Sequence, residues 1–235
     1  ESRLGLVRLS SHFSGPRILD AGCGPGYVLG TFVRDWMATD FDVGARPNTT
    51  ILSVDVSPES IEQAKARYER YLKYELLRAD RSNPKKDRTL AQYVNAKFLQ
   101  QDFMKLDPDV VWEMLGGPPS TILASYFISW VSKDKIGAAM QLAMLAGPGT
   151  KLVIVEEPDQ TITTTGKYMD EVQASRIEQY IDPIESLDLY IDLLRRAGWV
   201  EIPDADVELP IGKEELQKQR KHTVRCKAFE IPLID

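Results

Sequence analysis

The sequence predicts an α/β fold built on a mainly parallel sheet. Three observations carry that expectation. Short β-rich apolar runs alternate with stretches of helical periodicity. The first run ends in an acid and a glycine-rich turn, "RILDAGCGPGY". Two further apolar runs, "ILSVDVS" and "FLQQDF", also end in an acid. At 235 residues the chain has room for one sizeable domain with inserts, and 1–235 reads as a single domain.

The first strand is expected over Arg17–Ala21, with a helix after it from about Tyr27 to Trp36. "TTILSVDV", Thr49–Val56, is a second buried strand. Ser57 can cap the helix that follows, with Pro58 at its first position and Glu59 at its positive end. Ile61, Ala64, Tyr68 and Leu72 give that helix one apolar face. Leu77–Tyr93 is polar and reads as an excursion, part of an insert over 78–95. Ala96–Phe103 is a third strand, and a fourth begins at Ser120. Lys133–Ala146 is helical and stops at Gly147. Thr150–Pro158 is a fifth strand. The rhythm changes over 159–182, which reads as an insert. Ile184, Leu187, Ile191 and Leu194 then line a helix ended by Gly198. Trp199–Leu209 and Thr223–Leu233 are two late strands, expected to pair antiparallel. A further insert is expected over 38–48.

Composition narrows the function. A net charge of −6 argues against a nucleic-acid phosphate backbone as partner; the basic run Arg78–Arg88 is broken by Asp80 and Asp87 and reads as a solvated loop. Two cysteines, Cys23 and Cys226, suit a reducing compartment, and the cytoplasm is the expected location. No stretch approaches the roughly 20 apolar residues of a membrane span. No cluster of metal-ligand residues is visible, so no metal is expected.

The turn Gly22-Cys23-Gly24-Pro25-Gly26 offers bare peptide groups to a ligand at the carboxyl edge of the sheet. A dinucleotide site would place a third glycine where Tyr27 stands. Asp20, just before the turn, suits a cationic group better than a pyrophosphate. Asp55, at the end of the second strand, can accept from the two hydroxyls of a ribose; the alternative is a strand-terminating acid ahead of Ser57. Asp102 can accept from an exocyclic amine with Phe103 beside it; the alternative is a plain turn acid.

"ILDAGCGPG", "ILSVDVS", "FLQQDF", "TILASYFISWV" and "LAGPGTKLVIVEEP" together resemble the successive motifs of class I S-adenosylmethionine-dependent methyltransferases, over about Arg17–Pro158. The resemblance implies a Rossmann-like seven-stranded sheet, mostly parallel with the last strand antiparallel and helices on both faces. It implies S-adenosylmethionine as cofactor and S-adenosylhomocysteine as product. It places Asp20 and the backbone of Gly22, Cys23, Gly24 and Gly26 on the methionine part, Asp55 on the ribose and Val56 beside the adenine. It sets Asp102 on the adenine amine and Phe103 against the ring, with Ser125 and Tyr126 facing donor and substrate.

The spacing of about 28 residues between Gly26 and Asp55 is long for the family. Few residues precede the first strand, so a lid is expected from an absent N-terminal segment or from a second copy in a homodimer.

The acceptor is read from less. "ASYF" stands where amino-group methyltransferases of nucleobases carry "NPPY", which points to a small molecule, with a natural product as the expected class. Tyr126 and Trp130 could wall its pocket; Glu157, Tyr168 and Met169 would cover it. Candidate bases cluster after the fifth strand at Glu156, Glu157 and Asp159, with His12 and then His222 behind them; Tyr126 is a further candidate catalytic residue. Two other functions stay open: a methyltransferase-like protein that catalyses a cyclisation or rearrangement with bound donor, and a non-catalytic subunit. A dehydrogenase ranks last.

Overall fold

The computed structural model describes residues 15–27, 29–30, 48–82, 94–125, 127, 134–156, 187–203, 207–210 and 223–233. The chain divides into two compact units, with the division between Leu123 and Ala124.

The first unit carries β1 (Arg17–Ala21), β2 (Thr49–Asp55), helix α1 (Pro58–Ser82), β3 (Val94–Gln100), a 3-10 turn (Phe103–Lys105), helix α2 (Pro108–Leu115) and the start of β4 (Thr121–Ser125). Its strand order is β3-β2-β1-β4. β1 and β2 are parallel, with Asp20 opposite Ser53, and β2 and β3 are parallel, with Asp55 opposite Gln100. This register brings the acid ends of β1 and β2 to one edge.

The start of α1 follows from local chemistry. Ser57 Oγ accepts the Ser60 N–H at 3.2 Å, and Pro58, which has no N–H to lose, opens the helix. Ile61 and Ala64 are buried. They pack with Cys23, and Phe98 closes on the same cluster. A second cluster joins Ile18, Leu29, Ile51 and Val94, with Tyr68 and Tyr71 of α1 against it. Tyr68 donates its hydroxyl to the Val94 carbonyl at 2.8 Å and meets Phe98 edge-on at 6.4 Å between ring centres. The glycine turn after β1 is thus joined to the helix after β2 by a packed apolar layer.

The second unit, from Ala124 on, holds the end of β4, then α3 (Lys135–Leu145), β5 (Lys151–Glu156), α4 (Leu187–Arg196), β6 (Val200–Glu201), β7 (Val207–Pro210) and β8 (Thr223–Glu230). Its order is β5-β8-β6, with β7 also on β8. β8 runs antiparallel to β5, β6 and β7. Leu142, Leu145, Leu152, Val153, Tyr190, Leu194, Trp199 and Phe229 are buried. Glu201 joins Lys227 of β8 and Arg195 of α4.

The fold is the Rossmann-like α/β class expected, with its last strand antiparallel. Several element bounds differ. α1 continues to Ser82, past the point where polar residues suggested an excursion, because a solvated helix needs only one apolar face. The third strand ends at Gln100, and Asp102 instead caps the 3-10 turn. α2 was not anticipated, although its signals are local: Asp107 accepts the Asp109 N–H, Pro108 follows, and Gly116 closes it with φ 79°. The run Trp199–Leu209 is two strands rather than one. Pro203 interrupts it, since proline has no N–H to give the ladder. The helix expected over Tyr27–Trp36 and the inserts at 38–48 and 159–182 fall wholly or largely outside the described residues.

Candidate functional site

The candidate site lies in the first unit, where β1 and β2 end. Asp20 is the penultimate residue of β1 and is 2% exposed. Its Oδ2 and the Ser53 Oγ are buried with no hydrogen-bond partner among the described residues. Burial, and after it the neighbouring Asp55 charge, pushes the Asp20 carboxyl up to about 7; the Ser53 hydroxyl works the other way. A buried carboxylate with a free oxygen beside a second carboxylate gains most from a cation placed within reach.

The turn is held from several sides. The Cys23 N–H donates to the Val54 carbonyl at 2.9 Å, and the Gly26 N–H to the Cys23 carbonyl at 3.1 Å. The Gly24 N–H donates to Asp55 Oδ2 at 2.9 Å, while Asp55 Oδ1 accepts the Ser57 N–H at 2.8 Å. One carboxylate therefore ties the glycine turn to the start of α1. Each of its oxygens retains acceptor capacity for a ribose hydroxyl. Asp55 is thus the strand-terminating acid ahead of Ser57, and it stays a half-buried carboxylate at the sheet edge.

The glycines do different jobs. Gly24 has φ +51°, and a Cβ added there would meet no heavy atom within 4 Å. The space beside its Cα is open, while its N–H is held by Asp55. Gly26 has φ +77°, and a Cβ there would lie 2.8 Å from the Ala64 Cα. It provides the close helix approach that a third glycine gives in dinucleotide folds, one position earlier than that fingerprint places it. Cys23 is buried. Burial and then the charges of Asp20 and Asp55 raise its thiol pKa, so it stays protonated and serves as an apolar packing group.

Val56, just past β2, is exposed by 67%, as an apolar face for a planar ring would be. Asp102 accepts the Met104 N–H at 3.0 Å and lies 3.6 Å from Lys105 Nζ, so it acts as a turn acid; its side chain remains 42% exposed. Phe103 is buried. The Gln101 N–H donates to the Asp55 carbonyl at 3.0 Å, which brings the end of β3 beside that of β2.

Asp20, Gly22, Cys23, Gly24, Gly26, Asp55 and Val56 are thus gathered at one edge, with Asp102 and Phe103 after the neighbouring strand. Ser125 is the half-buried last residue of β4, and Glu156 ends β5. The side chain of Glu156, and Tyr126, Trp130, Glu157, Tyr168, Met169, His12 and His222, lie outside the described residues. Two site residues were not anticipated. Ser53 was legible in principle, since strand alternation puts it on the same face as Asp55 and register puts it opposite Asp20. Arg67, which donates from Nε to the Pro25 carbonyl at 2.9 Å, carries no sequence signal beyond lying one turn after Ala64.

A family model described as a methyltransferase domain matches residues 3–203. The chain belongs to the class I S-adenosylmethionine-dependent methyltransferase family. A search of curated proteins finds no match. Among solved structures, a methyltransferase from Methanosarcina mazei is 14% identical with a TM-score of 0.59, covering 97% of this chain and 98% of its own. The N-methyltransferase NodS from Bradyrhizobium japonicum, solved with S-adenosylhomocysteine, is 13% identical with a TM-score of 0.57, covering 98% and 86%. A putative sarcosine dimethylglycine methyltransferase from Galdieria sulphuraria is 14% identical with a TM-score of 0.55, covering 98% and 85%. At these identities the likeness is one of fold.

S-adenosylmethionine is the donor this family uses, and the residues present fit it. It carries a sulfonium and an ammonium, and the buried, unpartnered Asp20 oxygen asks for a cation. It carries a ribose, and Asp55 stands fixed at the strand end. The bare Gly24 peptide leaves room for its chain.

Proposed function

We propose that this methyltransferase transfers a methyl group from S-adenosylmethionine to a small-molecule acceptor, with a natural product as the expected class. The observation that carries the reading is the juxtaposition of the buried Asp20 carboxyl, the open space beside Gly24 and the doubly tethered Asp55. When bound, the donor supplies an electrophilic methyl on a cationic sulfur. Asp20 and the Gly22–Gly26 backbone hold its methionine part, Asp55 the ribose hydroxyls and Val56 one face of the adenine; Asp102, which caps the 3-10 turn through Oδ1, has its other oxygen for the adenine amine, with Phe103 flanking. The family resemblance assigns Ser125 and Tyr126 to the donor and the acceptor.

The chain's remaining work is to align the acceptor atom with the methyl and exclude water, which supplies much of the rate in a direct displacement. A base is needed only where the accepting oxygen, nitrogen or carbon carries a proton of unsuitable pKa; Glu156, Tyr126 and His12 are the candidates. Trp130, Glu157, Tyr168 and Met169 are the residues assigned to the acceptor, since loops and inserts over a fixed scaffold commonly carry specificity. The fold likeness to a putative sarcosine dimethylglycine methyltransferase supports a small acceptor.

Mass spectrometry of ligands retained by the purified protein, followed by donor turnover over a panel of metabolites, tests the reading. Retained S-adenosylmethionine or S-adenosylhomocysteine, and a product heavier by one methylene, are expected. A product formed without donor consumption would replace it with the rearrangement reading.

A further inference from the structure

The glycine turn is also gripped from behind, by helix α1. Gly26 backs onto Ala64, and one turn further along the helix Arg67 reaches the same segment twice. Its Nε donates to the Pro25 carbonyl at 2.9 Å, and its guanidinium carbon lies 3.9 Å from the centre of the Tyr27 ring. The stem of Arg67 is itself confined, because a Cβ added at Gly30 would lie 3.1 Å from Arg67 Cδ. Pro25 sits between Gly24, which has open space beside its Cα, and Gly26, which touches the helix. A guanidinium suits this position. Its fixed donor meets the carbonyl while its plane covers an aromatic face, and an ammonium cannot do both with one geometry.

We propose that Arg67 is a positioning residue for the methionine half of the methyl donor: by fixing Pro25 and Tyr27 it holds the Gly24 peptide in its ligand-ready orientation. The inference rests on the donor-site reading above. It assigns Arg67 no contact with the donor. Its effect passes through the turn, and so should fall on the part of the ligand that the turn holds and spare the nucleoside held by Asp55 and Val56.

That selectivity is the test. Calorimetric Kd values are measured for S-adenosylhomocysteine and for 5′-deoxy-5′-methylthioadenosine, which lacks the amino-acid portion. Arg67→Met keeps much of the stem but removes the donor. It should weaken S-adenosylhomocysteine by up to about tenfold, the most that losing one charge-assisted hydrogen bond can take from the preorganisation of the turn, and leave methylthioadenosine within about twofold, since Asp55 Oδ1 keeps the Ser57 N–H even if the Gly24 bond shifts. Arg67→Lys should recover part of the loss. Tyr27→Leu, at an exposed position, should weaken S-adenosylhomocysteine about threefold; if Arg67→Met does not fold, this variant and Arg67→Lys carry the comparison. Equal loss for both ligands, or no loss for either, would overturn the assignment while leaving the donor site intact. An unmodified protein that binds neither ligand would overturn the donor-site reading, and this inference with it.

Discussion

Replacing Asp20 by asparagine should make the ligand-free protein more stable relative to the parent as the pH rises. Burial and the Asp55 charge carry the Asp20 carboxyl from an ordinary 3.8 to about 7. Between those values the folded chain binds a proton there that the unfolded chain has released. Asp20 therefore contributes less to stability as pH increases through that window, and the penalty is fully developed above it. At about 1.4 kcal/mol per pH unit, the span amounts to roughly 4 kcal/mol. The substituted amide has no proton to lose, so the stability difference, variant minus parent, should grow by about that amount between pH 4 and pH 8. The amide adds a pH-independent cost of about 1–3 kcal/mol if its NH2 finds no acceptor, which offsets the curve without changing its slope. Urea unfolding of both proteins across that range measures the difference directly, and titrations common to both cancel. A difference that stays flat with pH would refute the claim that Asp20 is a buried, proton-holding carboxyl. The same variant should lose affinity for the cationic donor, so stability gained at high pH would come with binding lost.

The remaining predictions concern its neighbours. Asp55→Ala removes the acceptor of the Gly24 and Ser57 N–H groups and of the expected ribose bonds; calorimetry should show donor binding weakened by roughly 1.5–3 kcal/mol in a folded protein. Gly26→Ala should lower the unfolding midpoint clearly, because its Cβ would press on the Ala64 backbone at 2.8 Å. Gly24→Ala should cost only the roughly 1–2 kcal/mol of a left-handed residue while impairing donor binding, and a reversal of that order in thermal melts would contradict the division of roles. Cys23 should resist alkylation by iodoacetamide in the native state and react on unfolding, as a buried thiol held protonated must.

Much of the site was legible in the chain itself. An apolar run, an acid and three closely spaced glycines describe a strand, a turn and a helix start through local sterics alone. Asp55 could be placed at a strand end because the apolar run of β2 stops there, whereas Asp102 lies two residues past the end of β3. Their duties could not be read. Whether Asp102 faces a ligand or caps a turn depends on where the chain bends after Gln100, and the structure shows it capping. Helix α2 is harder to read although its cap, proline and closing glycine are local, because it is only eight residues long and its consecutive Val110, Val111 and Trp112 look like a strand.

The sequence by itself determined the class of fold, the order of its motifs and the place where a ligand would meet bare peptide, since all three follow from periodicity and backbone sterics within a few residues. Tertiary structure alone decided which groups confront one another. It set Asp20 against Ser53 and Asp55, bound Asp55 to Gly24 across two strands, and brought Arg67 from a distant helix onto Pro25. Such pairings arise from register and packing between segments far apart in the chain, and the protonation of Asp20 depends on the water those segments exclude.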